Sequence, residues 1–207
     1  MNKKKLLTTL GTVALIGAIG VGSTFALLTS STGTVTNTFT VGNVDFDDDD
    51  DETKSGIRES KVERDETTGA YVDADGADAW TTTENEYTDL VAGEVVYKDP
   101  TIFMGKDSVN AWLFVRVYNG ENEAFENINI DENTWVKVGE GTEGDNTYVD
   151  YGYATPVVAG ENYTIFTEVT MADITTETVF PQIMVKASAV QAAGLTQAEA
   201  YAESVWQ

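Results

Sequence analysis

The stretch from Asn110 to Asn119, NAWLFVRVYN, constrains the fold more than any other. Ala111, Leu113, Val115 and Val117 alternate with Trp112, Phe114, Arg116 and Tyr118. A period of two fits a strand and not a helix. One face is wholly apolar and the other mixed, so the pattern predicts a central strand covered on both sides. Other strand-like stretches surround it: Val95 to Met104, Thr134 to Val138, Thr147 to Tyr153, Tyr163 to Thr170 and Pro181 to Gln191. Pro100 inside the first of these predicts an edge or a bulge, because proline has no N–H to give to a ladder. The stretches GEGTEGDN and VVAGEN carry turn residues between strands. Short strands are expected near Ile57 to Val62 and Tyr71 to Val72, and a first strand over Val35 to Phe46.

Regularly spaced strands of this kind predict an all-β protein, a jelly-roll-like antiparallel β-sandwich. One short C-terminal helix closes it, over residues 195–206. Thr196 and Glu199 stand three apart as a capping box. Leu195, Ala198, Ala202 and Val205 or Trp206 are the residues expected to pack back on the sandwich.

The chain begins MNKKKLLTTLGTVALIGAIGVGSTFALLTSS. Three lysines precede an apolar run that ends in small residues, the pattern of a secretory signal. The expected cut lies between Ala26 and Leu27. Residues 1–26 are then the signal peptide and 27–207 a single sandwich domain. Within it, 27–46 is the first strand and 47–56 an acidic loop, since five consecutive Asp, Asp47 to Asp51, repel one another and stay in water.

Charge and missing residue types exclude much chemistry. There are 35 Asp and Glu against 12 Lys and Arg. Such a chain repels nucleic acid and anionic headgroups. The sequence has no His and no Cys. That rules out an H-E-x-x-H zinc site and every Ser-His-Asp or Cys-His arrangement. No phosphate-binding glycine loop occurs. The expectation is a protein that is not an enzyme and holds no cofactor, with Ca²⁺ as the single cation to weigh. In YVDADGADAWTTTE, Asp73, Asp75 and Glu84 fall at the first, third and twelfth places of an EF-hand loop. Ala77 and Asp78 break the pattern at the fifth and sixth. Asp73, Asp75 and Asp78 remain as candidate Ca²⁺ ligands in a different loop; the alternative is an acidic turn. Trp80, Trp112 and Trp135 are candidates for a sugar-binding face or, in the plainer reading, for core and interface packing.

The stretch from Leu10 to Phe46 resembles the export signal of Gram-positive proteins processed by the SipW-type signal peptidase. The signal there ends in an aromatic-Ala pair, here Phe25-Ala26. A Thr-rich segment follows, here Asn37-Thr38-Phe39-Thr40-Val41-Gly42. The group is the TasA/camelysin-like family. Two later blocks are similar to it as well, one containing Tyr97, Lys98, Asp99 and Pro100 before a strand, the other the ending VKASAVQAAGLTQAEAYAESVW.

The resemblance implies a secreted, non-enzymatic structural protein of the cell surface or biofilm matrix, with the membrane met only during export. It implies two partners, a signal peptidase of the SipW type and further copies of the chain or other matrix subunits. It also implies fibres built by donor-strand exchange of the mature N-terminus, with Val35, Phe39 and Val41 on one face of the donated strand. Two alternatives stand beside it. One is an extracellular module binding Ca²⁺, glycan or a host protein. The other is a camelysin-like metalloprotease, which the absence of His opposes.

Overall fold

The computed structural model describes residues 29–31, 44, 46, 56–74, 80, 84–173, 175, 178–204 and 206. Its elements, in order, begin with β1 (Thr29–Ser31), β2 (Ile57–Arg58), β3 (Val62–Arg64) and β4 (Tyr71–Asp73). Next come β5 (Val95–Tyr97), β6 (Thr101–Phe103), β7 (Ala111–Tyr118), β8 (Phe125–Ile128) and β9 (Trp135–Glu143). The last are β10 (Asn146–Tyr153), β11 (Asn162–Thr164), β12 (Glu168–Met171), β13 (Met184–Gln191) and the helix α1 (Gln197–Ala202). The fold is an antiparallel, jelly-roll-like β-sandwich with one short C-terminal helix.

One layer is a five-stranded sheet in the order β1-β13-β7-β10-β9. The strand with the clearest alternation, β7, sits at its centre. Ala111, Leu113, Val115 and Val117 all face the main core between the layers. Phe114 faces the other way, where Val190 and Ala200 form a second, smaller cluster with Trp112, Leu195, Tyr201 and Trp206 around it. The two faces of one strand therefore meet two different covers, the opposite sheet and the C-terminal segment.

The other layer is built from β2, β5, β6, β8, β11 and β12. Lys98, Asp99 and Pro100 separate β5 from β6, but this is an interruption and not the bulge weighed for the proline, because the register does not slip. Tyr97 lies opposite Glu168 and Thr101 opposite Thr164. Lys98 N donates to Thr167 O at 3.0 Å, and Ile165 N to Pro100 O at 3.2 Å. Two long strands thus run side by side with one local break, flanked by β2 on one side and β8 on the other. Their inward side chains, Val96, Ile102, Met104, Val169 and Met171, close the core with Trp135, Val157, Ile165 and Phe166. Each such side chain contributes about 1.5–3 kcal/mol by leaving water.

The hairpin β9–β10 departs from the sequence reading. Residues 139–143 were expected in a turn and are strand; the turn is confined to Gly144 and Asp145, with Gly144 at φ 62°. The glycines are there for clearance. A Cβ on Gly139 would lie 2.1 Å from Tyr201 Oη, and one on Gly141 2.7 Å from Tyr148 Oη. Gly139→Ala is accordingly expected to push Tyr201 off the sheet and to cost about 1–3 kcal/mol in urea unfolding, with the β-rich circular dichroism kept.

α1 has the expected capping box. Thr196 N donates to Glu199 Oε2 at 2.8 Å, and Glu199 N donates to Thr196 Oγ1. Of the residues expected to pack back, Leu195 and Trp206 do so, and the alanines do not. Ala200 is buried and Tyr201 half-buried, while Ala198 and Ala202 are exposed. Two alanines have little surface to hide, whereas Tyr201 reaches a buried carboxylate. The first strand expected at Val35 to Phe46 lies mostly outside the described residues. Of its span, Val44 and Phe46 are buried, and Phe46 bridges Met104.

Candidate functional site

Three features stand out: the outer edge of the five-stranded sheet at the end of β13, a groove between the layers near the start of β13, and a polar clamp in the groove wall. β1 is the edge strand of its sheet. It pairs antiparallel with β13 through Thr29↔Val190, Ser30↔Ala189 and Ser31↔Ser188. The segment after the expected cut therefore meets the sheet through main-chain pairing with the last strand of the chain. A strand held this way needs no particular side chains.

Near the start of β13 a groove of about 990 Å³ opens between the layers. Val96, Val169, Met171 and Phe125 form its apolar lining, and Ile183 and Met184 stand where the chain enters β13. Val179 and Phe180, just before, are exposed, Val179 to 86 %.

The clamp forms where the break at Lys98–Pro100 frees side chains from the ladder. Asp99, buried, accepts from Ser60 N and Ser60 Oγ, both at 2.8 Å, and from Tyr97 Oη at 3.1 Å. Lys98 Nζ donates to Glu59 Oε1 at 2.5 Å. Asn85 Nδ2 donates to Glu59 Oε2 at 3.1 Å. Tyr87 Oη donates to the Tyr97 carbonyl at 2.7 Å. Burial, with the charges of Glu59 and Asp99 added, pushes the Tyr87 phenol far up. Burial and the neighbouring Asp99 push Tyr97 up to about 12.

A second network lies on the outer face of the five-stranded sheet. Arg116 Nε and Nη2 donate to the two oxygens of Asp150 at 2.7 and 2.8 Å, a two-pronged pair between residues facing each other in register. Tyr201 Oη donates to Asp150 Oδ2 at 2.7 Å. Arg116 also stacks on Tyr148, with its guanidinium carbon 3.6 Å from the ring centre. Burial works against the Arg116 charge, and the bonds to Asp150 outweigh it, so its pKa is raised. Sequence reasoning passed over this pair, although an Arg inside the most buried strand was a signal: a charge there requires a partner.

The sequence-derived candidates fall as follows. Ala26, Leu27, Val35, Phe39 and Val41 lie outside the described residues. Of the Ca²⁺ candidates, Asp73 ends β4, half-buried, opposite Val62; Asp75 and Asp78 lie outside the described residues. Among the described residues no three His, Cys, Asp or Glu gather as metal ligands would. Trp135 is core, with Nε1 donating to Thr164 O at 3.0 Å. Trp112 packs in the outer cluster and donates to Leu195 O. The two stand on opposite faces of the sheet, so they make no common sugar platform.

Comparison with models of known protein families finds no match, and neither the search of curated proteins nor that of solved structures finds one.

Proposed function

We propose that this chain is a secreted, non-enzymatic structural subunit of the cell surface or extracellular matrix, as its TasA-like sequence features imply. The mature N-terminal segment would be the strand that joins one copy to the next. The observation that carries this reading is the place of β1. It is an edge strand, attached by main-chain pairing to β13. An edge position can be filled by the same strand from another copy, because the bonds are the same. Head-to-tail filling of this kind does not close on itself and gives filaments. Removal of the signal by a SipW-type peptidase would release the segment. The acidic balance of 35 to 12 keeps such a protein away from nucleic acid, and joining copies has to overcome their like charge.

The test compares a protein starting at Leu27 with one starting at Gly42, by light scattering and electron microscopy. The longer form is expected to build filaments and the shorter to remain a folded monomer. Two folded monomers would remove the reading. A second reading, a surface binding module, is favoured by the groove of about 990 Å³, a volume that suits a small ligand. It predicts a monomer whose melting temperature rises with Ca²⁺ or glycan.

A further inference from the structure

We propose that Lys98 and Asn85 become joined by an amide bond within the chain, with Glu59 carrying the protons. This stands independently of the proposed assembly. Glu59 follows β2, Lys98 follows β5, and Asn85 lies in the segment leading to β5. A primary amine and a primary carboxamide sit on the two oxygens of one carboxyl group. Lys98 Nζ is 2.5 Å from Oε1, and Asn85 Nδ2 is 3.1 Å from Oε2. The lysine side chain is 12 % exposed and the glutamate 9 %. The asparagine is fixed at its other contacts, with Nδ2 donating to Ser60 O at 2.9 Å and Oδ1 accepting from Val62 N at 3.1 Å. An ion pair needs no carboxamide on its second oxygen, and a lone asparagine needs no lysine beside it. Together they are the reactants of an amide exchange.

The step balances without any further reagent. A proton passes from Nζ to Oε1, leaving an amine and a carboxylic acid, the forms that tolerate a dry site. Nζ attacks Cγ of Asn85 and a C–N bond forms. Charge develops on Oδ1, where the Val62 N–H already donates. Glu59 passes its proton to Nδ2, takes the second proton from Nζ and passes that on too. The Cγ–Nδ2 bond breaks and ammonium leaves. Ammonium-bearing lysine and carboxamide become a secondary amide and ammonium, and Glu59 ends as the carboxylate it was. Close, fixed positioning of two reactants is the main source of rate for such a reaction. In a chain without cysteine, the bond would be a covalent staple that reductants cannot open.

Intact mass of the folded chain, measured after denaturation, tests this. The expected chain is lighter by one ammonia, about 17 Da, than its sequence requires. A protease cutting after Glu86 and Glu94 is expected to leave the Asn85 and Lys98 peptides joined. Lys98→Arg and Glu59→Gln should both restore the full mass. Full mass in the folded wild-type chain overturns the proposal, with no variant needed. So does an ammonia loss that persists in Lys98→Arg, which would mark cyclisation at Asn85 alone. Loss of water instead, joining Lys98 to Glu59, overturns it as well.

Discussion

Asp150→Ala is expected to destabilise the protein by about 3–5 kcal/mol, the usual result when one partner of a buried ion pair is removed. At this chain length the melting temperature should fall by roughly 10 °C. The carboxylate is wholly buried and takes three hydrogen bonds, two from Arg116 and one from Tyr201. Its removal leaves the Arg116 charge inside the protein. What remains to it is Glu143, 3.3 Å from Nη1 and itself half-exposed. The same change cuts one of the bonds that hold α1 to the sheet, leaving the one from Gln197 Nε2 to Tyr153 O. The loss comes mainly from the stranded charge, not from the pair's own worth, and a second variant separates the two. Arg116→Met combined with Asp150→Leu should recover most of the stability, because neither charge then has to be desolvated. Urea unfolding of the three proteins is the measurement. A loss below about 1 kcal/mol for Asp150→Ala would mean that water or Glu143 already satisfies Arg116.

The same pair shows what the sequence could and could not disclose. The place of β7 was legible because burial on both faces leaves a long alternating strand with few polar residues. The start of α1 was legible because a capping box is local chemistry between Thr196 and Glu199; its end was not, since the helix expected to reach residue 206 stops at Ala202. The strand β9 was misread because its glycines look like turn residues. Their reason lies across space, in the rings of Tyr148 and Tyr201, and no local rule contains that. β8, short and half-polar as Phe-Glu-Asn-Ile, gave no periodic signal; it is a strand because β12 offers it an edge. Pro100 was read as an edge or a bulge; the strand is interrupted there, between β5 and β6, with no shift of register. The sequence did not show that Lys98 and Asp99, freed by that break, would meet Glu59 and Ser60 from a segment 39 residues away. Polar clamps of this kind depend on which loops the topology brings together.

Above pH 10 the protein is expected to lose stability steeply, because buried phenols in the clamp and on β10 and β11 resist ionisation. Tyr97 titrates at about 12, against about 10 for a free tyrosine. Tyr87, Tyr151 and Tyr163 are all raised too, with burial as the first cause in each. The sign follows from proton counting. Between pH 10 and the folded values, the unfolded chain has given up phenolic protons that the folded chain still holds. Raising the pH therefore pulls toward the unfolded state. The contribution of these four groups is complete below pH 10 and disappears as pH climbs through their folded values. The melting temperature should stay level from neutral pH to about 9 and drop across 10 to 12. The phenolate absorbance of these rings should appear together with unfolding, in one cooperative step. Tyr87→Phe is expected to soften the alkaline drop. Its price at neutral pH is about 0.5–1.5 kcal/mol, for the lost bond to the Tyr97 carbonyl. Gradual titration of every tyrosine near pH 10, with no change in stability, would show that these rings are open to water in the folded protein.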